Sequence, residues 1–219
     1  MFYRFVCIHK RDKMGKRIRL LSVLVLICVE IFSQTNVKVD MMKNSWFAIK
    51  GTTNILSFKL LHSGEKLFQK PLLITATIDE NKVFLSQNRL VIQVNNFTSD
   101  NQMALRDFKK LIKSNEYPTL SVHLNYFEIK PENLKNSISS GNATVNIEIT
   151  GVSNQYVIPV NSSRKEDLVT VTGSKRINIR DFGLEPPIEL LGLIKVNEWI
   201  TIDFHIICRL TFDKSKSIS

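Results

Sequence analysis

Alternation with a period of two governs the C-terminal part of this chain. Ile200, Ile202, Phe204, Ile206, Cys208 and Leu210 are interleaved with Thr201, Asp203, His205 and Arg209. Successive side chains of a β-strand point to opposite faces, so such a segment buries one face and leaves the other in water. Leu120, Val122, Leu124 and Tyr126 against Ser121, His123 and Asn125 repeat the pattern. So do Ala143, Val145, Ile147 and Ile149 against Asn142, Thr144, Asn146, Glu148 and Thr150. Segments 46–50, 53–60, 70–78, 88–95, 154–160 and 167–178 are further strand candidates, which makes eight or nine strands in all. Gly141-Asn142 and Gly151 supply turn signals between them.

One stretch departs from this period. Between Asp100 and Lys113, Ala104, Phe108, Leu111 and Ile112 recur at helical spacing, with Arg106, Asp107, Lys109, Lys110 and Lys113 largely on the other side. Asp100 is the expected N-cap, and the lysines suit the negative end of the helix dipole. Pro118 marks the exit into the next strand. Many alternating strands with one helix fit a sandwich or a closed barrel, and alternation carried to the end of the chain favours closure, because a barrel has no exposed edges. The expected fold is therefore all-β, an eight-stranded antiparallel barrel with one short helix between strands. A ring of that size is just wide enough to be filled by its own side chains or to hold one small ligand.

The first 33 residues read differently. Seven of the 30 basic side chains and only two acidic ones lie there, so this segment carries half of the net +10. The basic stretch ends at Arg19 and leads into ten uncharged residues, Leu20 to Val29, followed by Glu30 and Ser33. That order is the one of a secretory signal peptide, with Met14 an alternative start and cleavage near Ser33. A retained short anchor, or lipid attachment at Cys28, are the competing readings. The organisation expected is a signal peptide 1–33, an N-terminal lead-in 34–43, a barrel domain 44–212 and a polar tail 213–219. Loss of the leader removes Cys7 and Cys28, and Cys208 then has no partner for an internal disulfide.

Two segments carry a family resemblance. Trp46-Phe-Ala-Ile-Lys-Gly51-Thr52-Thr53-Asn54-Ile55-Leu56-Ser57-Phe58 opens the domain, and Asp181-Phe182-Gly183-Leu184-Glu185-Pro186-Pro187-Ile188, then Leu191-Gly192-Leu193-Ile194-Lys195-Val196, precede the last strand. With Met103 and Leu105, Tyr117-Pro118 and the Gly141–Val160 region between them, these resemble the YceI family over roughly 44–212. The match is to the short form with Gly-Thr-[Ser/Thr]-Asn in its first hairpin, except that Leu56 stands where that form often has a His. The resemblance implies a lipocalin-like barrel whose interior takes a long isoprenoid or similar lipid tail. Phe58, Leu120, Val122, Leu124, Tyr126, Val145, Ile147, Ile202 and Phe204 are then the candidate lining, and Phe108, Phe182 and Leu184 the candidate lid. The bland reading of the same faces is a packed barrel serving as a structural or protein-interaction module of the cell envelope.

Enzyme chemistry finds little to rest on. His62, His123 and His205 stand on separate segments without a second ligand at metal spacing, and no nucleophile elbow, phosphate loop or dinucleotide fingerprint is present. Cys208 shares a face with Ile206 and Leu210, which suits an inert buried thiol. No catalytic residue, metal or cofactor is expected. The remaining basic residues are dispersed, so nucleic acid is not the expected partner. A long-chain lipid is, with a transient membrane surface as a further partner and the oligomeric state left open.

Overall fold

The structure, a computed structural model, describes residues 34–67, 71–129, 138–189 and 194–212. Residues 1–33, where a signal peptide is expected, the tail 213–219 and Leu191-Gly192-Leu193 lie outside the described residues. The strands are β1 (Gln34–Met41), β2 (Trp46–Thr52), β3 (Ser57–Ser63), β4 (Leu72–Asp79), β5 (Lys82–Ser86), β6 (Arg89–Gln93) and β7 (Thr119–Ile129). They continue as β8 (Ile138–Ile149), β9 (Val152–Lys165), β10 (Leu168–Asn178), β11 (Ile188–Glu189), β12 (Ile194–Lys195) and β13 (Trp199–Phe212). The helices are α1 (Gly64–Leu67) and α2 (Gln102–Leu111).

β1, β4, β5, β7, β8, β9, β10 and β13 form an antiparallel ring of eight, closed by the pairing of β1 with β13. Three of its staves are broken midway. β2 takes over from β1 along β13, where Met41 faces Cys208 and Trp46 faces His205. β3 pairs with β2 and runs on through α1 toward β4, while β6 takes over from β5 along β7. The chain is thus an up-and-down meander, which explains why local alternation predicted it so directly.

Two of the breaks, β1–β2 and β5–β6, are each held by a polar side chain that serves the backbone. Ser45, only 2% exposed, donates from its hydroxyl to the Ile207 carbonyl at 3.1 Å and accepts the Ile207 N–H at 2.9 Å. Beyond β5, Gln87 is left-handed (φ 58°), and the buried Asn88 donates to the carbonyls of Leu85 (2.7 Å) and Leu124 (2.6 Å) while accepting the Leu124 N–H (2.8 Å). These bonds satisfy backbone groups that an interrupted ladder would otherwise leave unpaired inside the wall.

The described connections sort to two ends. The β2–β3 turn, α2 with its flanks, and residues 179–189 and 194–198 gather at one end, here the helix end. The β4–β5 and β9–β10 turns lie at the other. Three sequence expectations change. Residues 34–43, expected as a lead-in, contain β1, which closes the ring. The strand expected over 53–60 starts only at Ser57, because the Thr53 hydroxyl accepts the N–H groups of Ile55 (3.1 Å) and Leu56 (3.0 Å) and fixes a turn. The N-cap of α2 is Asn101, whose side chain accepts the Ala104 N–H at 3.0 Å, and not Asp100. Among the described residues no helix is long and apolar enough to cross a membrane.

Candidate functional site

The even-numbered residues of β13 from Ile200 to Phe212 all face the barrel interior. They do not meet the opposite wall. The buried apolar residues separate into two clusters, one around Leu60, Val145, Ile177 and Phe182 and a smaller one around Val37, Val39 and Cys208. Along the axis runs a cavity of about 750 Å³ whose wall is almost wholly apolar. A barrel filled by its own side chains leaves no such space, whereas binding sites for small molecules run from about 300 to 1,000 Å³. Asn88, Asn101 and Asp107, with Glu128, Ser139 and Ser162 toward the opposite end, are among the few polar groups on the wall.

Ten of the expected positions lie on this wall: Phe58, Phe108, Leu120, Val122, Leu124, Val145, Ile147, Leu184, Ile202 and Phe204. Tyr126 does not. A bulge in β7 between Leu124 and Tyr126 shifts the register against β8, so inward facing passes from even to odd residues and Phe127 takes the wall position. Tyr126 instead packs against the partly exposed Phe84, ring centroids 5.4 Å apart, with the Lys82 ammonium 5.3 Å from its ring centroid. Phe182 is not on the cavity wall either. At 1% exposure it sits in the core against Tyr156, beyond the point where the β9–β10 ladder ends at Gly173–Val160. It fills the wall and does not cap the cavity; Leu184, two residues on, reaches the cavity instead.

Two glycines make room for aromatic lining. Gly51 lies opposite Phe58 and Gly173 opposite Phe204, and a methyl group added at either would come within 2.4 Å of the facing ring. Each ring therefore lies over bare backbone, and the space it would otherwise take remains part of the cavity.

The two segments that carry the family resemblance meet at the helix end. Asn54 donates from its backbone to the Lys195 carbonyl (3.2 Å), its side chain accepts the Lys195 N–H (3.0 Å), and Asn197 donates to Thr52 (2.8 Å). Asp181 accepts the Tyr156 hydroxyl at 2.9 Å, and its carbonyl accepts the Asn154 amide at 2.7 Å. Burial, the bond to Asp181 and its negative charge together push the Tyr156 phenol well above its ordinary range. Gly183 takes the left-handed conformation (φ 70°) that ends the short turn, and Arg180 bridges Glu198 and Glu185 at 2.6 Å each. Leu56 is half exposed at the rim with Ile55. The position faces the cavity but offers no polar group.

Among the groups that could do chemistry, Cys208 lines the cavity and burial pushes its thiol up to about 11, so it stays protonated at neutral pH. His62 is fully buried beside Phe97, with its Nδ1 3.1 Å from the Ser63 carbonyl and no hydrogen-bond partner for Nε2 among the described residues. Burial pushes its pKa below the ordinary value. It is not on the cavity wall. Among the described residues no group of three or more His, Cys, Asp or Glu could hold a metal ion.

Sequence reasoning missed the lower wall formed by β1 and β4, including Val37, Val39, Ile74 and Ala76. The signal was present, since Val37, Val39 and Met41 alternate with Asn36, Lys38 and Asp40.

A profile of the YceI-like domain matches residues 33–208. Among solved structures, a polyisoprenoid binding domain from Saccharophagus degradans, implicated in plant cell wall breakdown, superposes with a TM-score of 0.56 at 13% identity, covering 80% of this chain and 98% of that one. BcnA of Burkholderia cenocepacia superposes with a TM-score of 0.56 at 16% identity, covering 77% and 99%. At these identities the likeness shows the fold. A search of curated proteins finds no match.

Proposed function

This chain belongs to the YceI-like domain family, and on that premise we propose that it is an exported binding protein which holds one long apolar lipid tail inside its barrel, an isoprenoid being the favoured class. The observation that carries the reading is the cavity of about 750 Å³ with its apolar wall. Each methylene moved from water into such a wall contributes about 0.8 kcal/mol, so six or seven ordered carbons contribute roughly 5 kcal/mol before ordering costs. No charged contact is needed to hold a tail, and the wall offers few. The resemblance to the polyisoprenoid binding domain of Saccharophagus degradans supports the isoprenoid class.

Holding without conversion is the second part of the proposal. The most deeply placed polar group on the wall, Asn88, is committed to backbone partners, and the Cys208 thiol bonds only to the Val169 carbonyl at 3.6 Å. Among the described residues neither is hydrogen-bonded to a His, Asp or Glu side chain. Export rests on the basic and then apolar order of residues 1–33, with the periplasm as destination.

The test is to purify residues 34–219 from the natural host, extract with organic solvent and analyse the extract by mass spectrometry, alongside titration with a fluorescent polyprenyl probe. A co-purified lipid and saturable probe binding are expected. Absence of both would refute the carrier reading.

A further inference from the structure

The cavity wall continues out of the barrel at the helix end. Ile55 (65% exposed), Leu56 (49%) and Met103 (50%) line the cavity and face solvent at once. Isolated apolar side chains on a surface need no explanation, but three around one rim form a patch. The turn that presents Ile55 and Leu56 is anchored through Asn54 to Lys195, so these side chains project from a fixed support.

Behind this rim the outer face carries an in-register cationic row. Arg176 faces Thr201, Thr201 faces Lys50, and Lys50 faces Lys59 across four neighbouring strands. Like charges directly opposite on paired strands are destabilising, so the Lys50–Lys59 rung works against the fold. Asp203, one rung away, offsets it in part through a 2.6 Å ion pair with Lys50. Lys50, Lys59 and Arg176, against the single carboxylate of Asp100, line a polar groove of about 660 Å³ together with the exposed Trp199, over whose ring the Arg176 guanidinium lies at 5.0 Å. The groove and the tail cavity share Phe58 and Asn101.

Spacing connects the two features. The backbone of the cationic rung lies two residues behind the last rung of the β2–β3 hairpin, Thr52–Ser57, or about 7 Å along the strand, with the Lys59 ammonium turned further back, 5.5 Å from the Trp46 ring centroid. A tip that enters a bilayer by about 5–10 Å leaves groups at that distance among the head groups. Cations attract anionic head groups there, and an indole sits well at the same level. At the other end of the barrel Ile78 and Phe212 are also exposed, but the turns there carry Asp79, Glu80, Glu166 and Asp167 beside Lys82, Arg164 and Lys165, which gives no cationic excess.

We propose that the helix end is a docking surface for an anionic lipid bilayer, with Ile55, Leu56 and Met103 inserted and the Arg176–Lys50–Lys59 row on the head groups. It rests on the tail-binding reading above, since docking there places the mouth of the cavity against the source or destination of the tail.

The test is flotation of the protein, residues 34–219, with vesicles of phosphatidylcholine alone or with about one third phosphatidylglycerol. A fluorescent polyprenyl probe in dilute detergent is titrated in parallel. The protein is expected to float with the anionic vesicles, to be released as NaCl rises, and to float poorly with neutral ones. Lys59→Glu with Arg176→Glu should lower partitioning about 30-fold or more while leaving probe binding intact, which also reports that the variant is folded. Absence of flotation with retained probe binding, or flotation unaffected by the substitutions or by salt, would overturn docking alone. Loss of probe binding by the unmodified protein would instead strike the tail-binding reading.

Discussion

Gly173→Ala separates an open interior from a packed one. A Cβ at this position would lie 2.4 Å from Cζ and 2.8 Å from Cε1 of Phe204, and 3.1 Å from the Pro159 carbonyl oxygen. Ordinary carbon contacts are about 3.5–4.0 Å, so the ring has to retreat by about 1 Å. In a packed core that displacement costs about 1–3 kcal/mol, because every neighbour must move. Here the ring lines the cavity and can retreat into it. Replacing a strand glycine also recovers about 0.5–1 kcal/mol of backbone entropy. The two contributions nearly cancel, and the unfolding free energy should change by less than about 1 kcal/mol. Ligand affinity should change more. A ring moved inward takes the space of one or two methylenes, about 0.8–1.6 kcal/mol, which weakens binding about 4- to 15-fold. Urea unfolding of probe-free protein gives the first quantity and titration with a fluorescent polyprenyl probe gives the second. A variant destabilised by about 3 kcal/mol with unchanged probe affinity would refute the reasoning, because it would mean that the ring has nowhere to go.

Asn88→Ala strips three hydrogen bonds from a break in the wall and should cost about 2–3 kcal/mol, seen as a lower urea midpoint at unchanged slope. His62 has a folded-state pKa below its unfolded one, so the unfolded chain takes up more protons. Stability is therefore fully present above the ordinary histidine value and is lost as the pH falls below it. Thermal melts between pH 7.5 and 5 should show that loss, and His62→Leu should flatten it. Cys208 is the one thiol in 34–219 and faces the cavity, so its reaction with a small disulfide reagent at pH 8 should be slow, and slower again once a long-chain amphiphile fills the barrel.

How far the sequence reveals this molecule depends on whether the deciding partner is local. The alternation of β13 and β8 is a property of each strand alone, so their inner faces could be read directly. The bulge in β7 is not. Leu124-Asn125-Tyr126-Phe127 offers two adjacent aromatic residues for one inward position, and only the register against β8 decides for Phe127. Phe182 was misread for a related reason: its place follows from where β9 and β10 part, which neither strand records. β1 is legible in the alternation of Val37, Val39 and Met41, but those residues fall within the span read as a lead-in. Asp100 and Asn101 are both good capping residues, and the choice between them is set by the bonds of Ser99, which donates to the Lys59 carbonyl and accepts the Asn101 N–H.

The same limit applies to the interior. Alternation says which residues face inward, but not whether they meet. Gly51 and Gly173 leave room beneath the Phe58 and Phe204 rings, Gly141, Ala76 and Ala143 place little or no side chain on the wall, and Ser139 and Ser162 bond to each other at 2.7 Å near one end. The cavity opens to solvent at its rim, where Ile55, Leu56 and Met103 line it and are exposed, so the interior is not a sealed void. Water is a poor occupant, because it needs polar partners that this wall offers mainly toward its ends. An apolar tail needs none. A ligand that binds only the closed ring also stabilises it, in proportion to the logarithm of its concentration over Kd. On the tail-binding proposal, folding and loading of this barrel are linked, and the small residues at inward positions create the room for the tail.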